Sequence, residues 1–325
     1  METPSLLLCK TKHFSVFHLL SGMHKSKFKV LLEDKPGKFT LMCGAGVAMA
    51  ISNDMKTWEK FVDQFAEKVK EVLDLTEDWI AGYRNINDFM AKIEHVEKQI
   101  NVPWSPWSPW SIEPTELHRM IAQMILRRPS LDYPFRGEIL HKLGRLILTT
   151  NYDTVIEDCL PNERISMSHI EASKYIDSDV LDGLKTLGPG HIFQNPLKHL
   201  LIHVHGRYFD IGRDHGFCFT PKEYSDEATL LSFNSFMVKI VTNTSLVFIG
   251  AKGTVKDSHF SQLWSKVGVN SQIHYILHRK EDQEGIITMA QSIFHNYYVT
   301  IIPICYGDTH DDLWTFLSEC CVHTN

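Results

Sequence analysis

The 325-residue chain lacks the features that mark several large classes of protein. It has no CxxC pair, and its 7 Cys stand scattered at positions 9, 43, 159, 218, 305, 320 and 321. An odd, unpaired set excludes a secreted disulfide framework and a structural zinc of the CxxC…CxxC kind; it fits a reducing compartment, cytoplasm or nucleus. No run of eighteen apolar residues exists, so no spanning helix is expected. The start, METPSLLLCKTKH, has an acidic second residue and a short apolar run, which is not a secretory signal. Residues 3–30 are free of acidic groups, which leaves an organelle-targeting reading open. Basic charge is scarce where a nucleic-acid binder needs it. Residues 1–38 carry a net +4, while the rest of the chain carries −10. An acidic body is a poor binder of phosphate backbones, so strong nucleic-acid binding is not expected.

What the chain does have is an ordinary apolar fraction, 43%, enough for a folded core. Short apolar runs recur along it at 38–43, 145–149, 199–204, 245–249, 272–277 and 298–302. Helical patterns lie between them. Trp58, Phe61, Val62, Phe65, Val69, Val72 and Leu73 recur at helical spacing, as do Phe260, Leu263, Trp264 and Val267, and Leu313, Trp314 and Leu317. Apolar strands alternating with helices predict an α/β fold, a Rossmann-like parallel sheet covered on both faces. Residues 1–37 read as an N-terminal arm and 38–325 as one domain. Residues 76–144 read as a helical insertion, and 161–198 as an irregular excursion. The insertion holds Val102-Pro-Trp-Ser-Pro-Trp-Ser-Pro-Trp110, whose Pro at every third position favours an extended segment. Its Trp side chains either cover a neighbouring helix or dock a partner.

Four clusters fall at strand ends, where a parallel sheet binds ligands. Gly44-Ala45-Gly46-Val47 is a glycine turn, suited to close approach of backbone to a phosphate or simply to a tight strand-to-helix turn. Met49 replaces the third glycine of G-x-G-x-x-G, so a hydride-transfer fingerprint is not supported. Thr149-Thr150-Asn151-Tyr152-Asp153 places an amide and a carboxylate directly after a strand. Thr150 or Asn151 also fits as a cap for the helix that follows. His203-Val204-His205-Gly206 ends another run. On a strand, 203 and 205 share one face, and His titrates near neutral pH. A zinc site there needs further ligands; His215 is near in sequence, but no convincing set is found. Phe248-Ile249-Gly250 leads to Asp257, which fits as a helix cap.

In this order the clusters resemble the sirtuin-like domain, over about residues 38–320, with the Trp-rich insertion poorly matched. The resemblance is strongest to the sirtuin-like NAD hydrolases of bacterial anti-phage defence and of some animals. Phe248-Ile-Gly…Thr254-Val-Lys-Asp257…Phe260 and Tyr306-Gly-Asp308…Asp312-Leu313…Phe316 look similar to the animal "family with sequence similarity 118" proteins. The resemblance implies an NAD-binding Rossmann-type fold and NAD hydrolysis to nicotinamide and ADP-ribose. It also implies self-association as dimers, higher oligomers or filaments, activity tied to assembly, and a part in innate immunity. It assigns His205 as the catalytic base, with Asn151 and Asp153 beside the nicotinamide ribose. Gly44, Ala45, Gly46 and Val47 would line the phosphates and ribose, Gly250 the adenosine side, and Tyr306 and Gly307 the adenine. No metal ligand is assigned. The zinc-binding cysteines of protein deacylases are missing, so no zinc and no deacylation are expected. Two departures weaken the cofactor loop: Ala48 stands where the family commonly has Ser, and residues 49–57 contain no Pro. The alternative these departures permit is an inactive NAD-binding scaffold that self-assembles.

Overall fold

The computed structural model describes residues 25–34, 38–53, 55–72, 74–100, 132–144, 146–160, 165–173, 200–206 and 224–321. The Trp-Pro repeat, His215 and residues 1–24 lie outside the described residues.

Seven strands form one sheet: β1 Phe39–Cys43, β2 Leu146–Thr149, β3 Ile165–Ser168, β4 Leu200–His203, β5 Ser245–Ile249, β6 His274–Arg279 and β7 Ile301–Gly307. Their order is β3-β4-β2-β1-β5-β6-β7, and every pairing is parallel. Helices flank both faces, so the fold is a Rossmann-like α/β fold. The side-chain alternation of a strand explains why these runs are apolar throughout. Met42, Leu148, Ile202, Phe248 and Ile276 point into one core layer with Phe236, Trp264 and Met289. Leu41, Ile147, Leu201, Val247 and Tyr275 point into the other, with Val47, Leu140 and Trp314. The first layer belongs to helices Glu227–Asn243, Ser258–Val267 and Gln283–Tyr297, the second to Ala45–Ile51, Phe135–Leu143 and His310–Cys321.

β1 sits between β2 and β5. From β1 the chain builds outward through β2 to β4 and β3. It then returns to the other side of β1 for β5, β6 and β7. This reversal puts the topological switch point at the carboxyl ends of β1 and β5, the usual ligand position of such sheets.

Three readings of the sequence shift. Strand β4 stops at His203, and residues 204–205 form a turn, so 203 and 205 do not share a strand face. β7 begins at Ile301, because Tyr298 takes a left-handed conformation (φ 59°) that closes the preceding helix. β3 emerges from the stretch 161–198 that reads as irregular; its Ile-Ser-Met-Ser sequence is too polar to stand out as a strand.

Between Thr76 and Gly144 the described residues are helical, with helices Glu77–Arg84, Phe89–Ile100 and Phe135–Leu143 and no strand. Within the N-terminal arm, residues 25–34 form a helix. Its Phe28 is fully buried, stacked against Phe316 with ring centroids 6.1 Å apart and tilted onto Tyr275 at 5.0 Å. Lys29 pairs with Glu319 on the same helix as Phe316. No helix among the described residues is long and apolar enough to cross a membrane.

Candidate functional site

The glycine turn after β1 is closed against the glycine turn after β5. Gly44 donates its N–H to the Ile249 carbonyl at 3.0 Å, and Gly46 donates to the Gly250 carbonyl at 3.0 Å. Val47 donates back to Gly44 at 3.0 Å. A Cβ on Gly44 would stand 2.5 Å from the Gly250 carbonyl, and one on Gly46 2.8 Å from the Gly250 Cα. Gly250 has φ +60°, and a Cβ there would meet the Val47 nitrogen at 2.6 Å. The three glycines are thus required by the contact between two backbone turns. Ala45 opens the helix Ala45–Ile51, half-buried, while Val47 and Ala48 are in the core.

The loop after β2 lies on the other side of this turn. The Asn151 side chain donates from Nδ2 to the Gly44 carbonyl at 3.3 Å, and its backbone N–H donates to Thr149 Oγ1 at 3.0 Å. His203 Nδ1–H donates to the Asn151 backbone carbonyl at 2.8 Å. His203 Nε2 faces Glu157 Oε2 at 3.5 Å. Asp153 Oδ1 accepts from the Val155 N–H at 3.0 Å, so Asp153, and not Thr150 or Asn151, satisfies the start of the helix Val155–Cys159. Burial pushes the Asp153 carboxyl above its ordinary range, against the bond from Val155 and the nearby His203. Thr150 instead reaches across β1, with its hydroxyl 3.2 Å from that of Thr254.

His205 stands in a different group. Its ring lies against Tyr224, His259 and Phe233, with centroids 5.2, 5.4 and 6.0 Å away. Nδ1 is 3.1 Å from the Tyr224 hydroxyl, and Nε2 is 3.5 Å from Asp257 Oδ2. Asp257 caps the helix Ser258–Val267: Oδ1 accepts from His259 N–H at 2.8 Å and from Phe260 N–H at 3.3 Å. His259 donates from Nε2–H to the Tyr224 carbonyl at 3.0 Å. Burial pulls His205 down to about 3 and His259 to about 4, so both are neutral at physiological pH. Burial pushes the Asp257 carboxyl up.

The sequence-predicted residues therefore divide. Asn151 touches the glycine turn directly, whereas the His that touches Asn151 is His203, and His205 joins Tyr224, Asp257 and His259. Tyr224 and His259 were not singled out by sequence, and His203 was noted only as sharing a strand face with His205. Asp257 was read only as a cap, which it is, while its second oxygen turns toward His205. No spacing along the chain signals this cluster, because its members arrive from the turn after β4, from Tyr224 ahead of the helix Glu227–Asn243, and from the start of the helix after β5.

Tyr306 and Gly307 lie at the end of β7, an edge strand three pairings from β1, roughly 14 Å at the usual strand spacing. Tyr306 is buried, which lifts its hydroxyl to about 12. The side-chain space at Gly307 is filled by Asp312, whose Oδ2 accepts from the N–H groups of Asp308 and Thr309 at 2.8 Å each.

Residues 145–302 match the family model described as SIR2-like domain. The matched stretch runs from β2 into β7 and holds Asn151, Asp153, His205, Gly250, Asp257 and His259. The Gly44–Val47 turn and Tyr306 lie outside it. No curated protein matches the chain.

Proposed function

We propose that this protein binds NAD and hydrolyses it to nicotinamide and ADP-ribose, with His205 as the general base. The observation that carries the reading is the likeness to a SIR2-like domain across the stretch that holds Asn151, Asp153 and His205. The reversal of strand order at β1 supports it, because sheets of this kind take nucleotides beside such a switch point. In the reaction the bond between ribose C1′ and the nicotinamide nitrogen breaks. Its electron pair stays with nicotinamide and cancels the ring's positive charge. Water oxygen bonds to C1′, and the proton it loses passes to His205. A positioned base contributes on the order of 10²–10⁴-fold. Asn151 orients the ribose and the water, and Asp153 holds the loop and offsets positive charge developing on the ribose.

In this reading Gly44, Ala45, Gly46 and Val47 flank the pyrophosphate. The N–H groups of Gly44, Gly46 and Val47 are engaged within the protein. The turn's contribution is therefore close backbone approach, not a row of free donors. Gly250 borders the adenosine side, and Tyr306 and Gly307 the adenine. Self-assembly into dimers, higher oligomers or filaments switches the activity on, in an intracellular defence role.

The test is nicotinamide release by the purified protein given NAD, in dilute and in concentrated samples. Release that rises with protein concentration, and is lost in His205→Ala with the far-UV spectrum unchanged, is expected. NAD binding without release at any concentration replaces the hydrolase with a scaffold. Neither binding nor release rejects the cofactor.

A further inference from the structure

We propose that His205, Asp257 and His259 form a binding site for one divalent cation of the zinc class. Among the described residues this is the one group of three or more His, Cys, Asp or Glu side chains whose ligand atoms lie together, all within 4.8 Å of one another. His205 Nε2 and Asp257 Oδ2 are 3.5 Å apart. Two donors on a tetrahedral zinc, each about 2.0–2.2 Å from the metal, are separated by roughly 3.4 Å, so that pair already has the spacing of an edge of the coordination shell.

The bonding around the trio fixes which atoms face inward. The His259 Nε2 partner is a carbonyl, which only accepts, so Nε2 carries the proton. In the metal-binding form of an imidazole whose Nε2 bears the proton, Nδ1 is the nitrogen with the free lone pair. That atom is buried and has no hydrogen-bond partner, and the same holds for His205 Nε2. On His205 the other nitrogen, Nδ1, meets the Tyr224 hydroxyl at 3.1 Å, and donation to that oxygen leaves the Nε2 lone pair for a metal. Asp257 uses one carboxylate oxygen on two backbone N–H groups and turns the other toward His205. Each imidazole is thus held by its far nitrogen on one residue, Tyr224. This is how protein metal sites orient their histidines. Leaving such lone pairs buried and unmet is costly, and a cation held with Asp257 Oδ2 satisfies both at once. Two imidazoles and one carboxylate suit zinc or a neighbouring divalent transition metal, with a fourth position open to water.

Binding stands independently of the NAD reading. Its consequence rests on that reading: a cation on Nε2 takes the lone pair that would receive water's proton, so the loaded protein is silenced.

The experiment uses the full chain, stripped with chelator and titrated with Zn²⁺ against a chromophoric competitor, and separately with Co²⁺ followed by its visible absorption. Wild type is expected to take one tight equivalent, to show the intense bands of low-coordinate Co²⁺, and to melt at higher temperature with zinc. Asp257→Asn keeps a residue that caps helices well and replaces the ligand oxygen by an amide. His259→Gln removes the second imidazole. Each is expected to weaken binding by more than about tenfold, while melting in the stripped form as a folded protein. The absence of a tight equivalent in wild type, or equal affinity in both folded variants, overturns the site. Where nicotinamide release is measurable, one equivalent of Zn²⁺ is expected to suppress it in wild type and not in His259→Gln; equal suppression in both overturns the silencing. A protein that binds zinc as described but, stripped of metal, never releases nicotinamide overturns the hydrolase reading and leaves the cation site standing.

Discussion

Two regions at the carboxyl edge of the sheet are built on opposite principles. The seam between the turns after β1 and β5 is self-contained: glycine lies on glycine, and the N–H groups of Gly44, Gly46 and Val47 are all answered within the protein. The cluster at the end of β4 is open-ended, since His205 and His259 each keep a buried nitrogen without a hydrogen-bond partner. A closed arrangement contributes stability and tolerates no added atom. An open one costs stability and marks a candidate site. The difference teaches caution about glycine motifs, because here the packing of two turns is sufficient reason for all three glycines.

Substitutions distinguish the two regions by which property they move. His205→Ala is expected to lower nicotinamide release on the order of 10²–10⁴-fold with little change in melting temperature. A variant that melts much lower and turns over normally would invert the comparison. Gly250→Ala is expected to do the reverse. It forces a Cβ into backbone at φ +60°, and should destabilise by about 3 kcal/mol. Urea unfolding measures this, and a wild-type midpoint would show that the seam yields.

Acid separates the regions next. His205 and His274 are held at about 3 and His259 at about 4, against an ordinary 6.5, by burial. Below about 6.5 the unfolded chain binds protons that the native state refuses, so stability falls as pH falls toward those lower values. Each ring adds a slope of up to about 1.4 kcal/mol per pH unit. Asp153 and Asp257 are raised and act with the opposite sign, losing stability as they ionise on the way up in pH. The urea midpoint should drop between pH 7 and pH 5, and more weakly in His259→Gln; a flat profile contradicts the buried neutral rings. The smallest effect belongs to Asp153→Ala. It removes one bond to Val155 and should cost about 1 kcal/mol, read from the same midpoint. A larger loss would show that Asp153 braces more than its own helix.

The parallel α/β architecture was legible because both sheet faces are covered, so β1, β2, β4 and β5 read as unbroken apolar runs. β3 was not, because alternating Ser breaks the run. The start of β7 was blurred by Tyr298-Val299, apolar residues that close a helix and approach the strand without joining it. Among site residues, those directly following strands were visible: Gly44, Asn151, His205 and Gly250. Tyr224 and His259 were not, since what unites them with His205 is the crossing of separate chain segments. His203 was visible as a residue but not in its role. The pairing of 203 with 205 assumed a strand two residues longer than the one that forms.

Strand β1 has a consequence for synthesis. Phe39 is one of the first sheet residues to be made, yet its partner Ser245 comes some two hundred positions later. Closing so long a loop contributes to slow folding and to exposed edges. A nascent chain therefore carries the centre of its sheet half-paired, on the β2 side alone, until β5 is translated. Ribosome-bound chains that stop before Ser245 should be protease-sensitive and in need of chaperones, and those that extend past β5 should gain protection in one step.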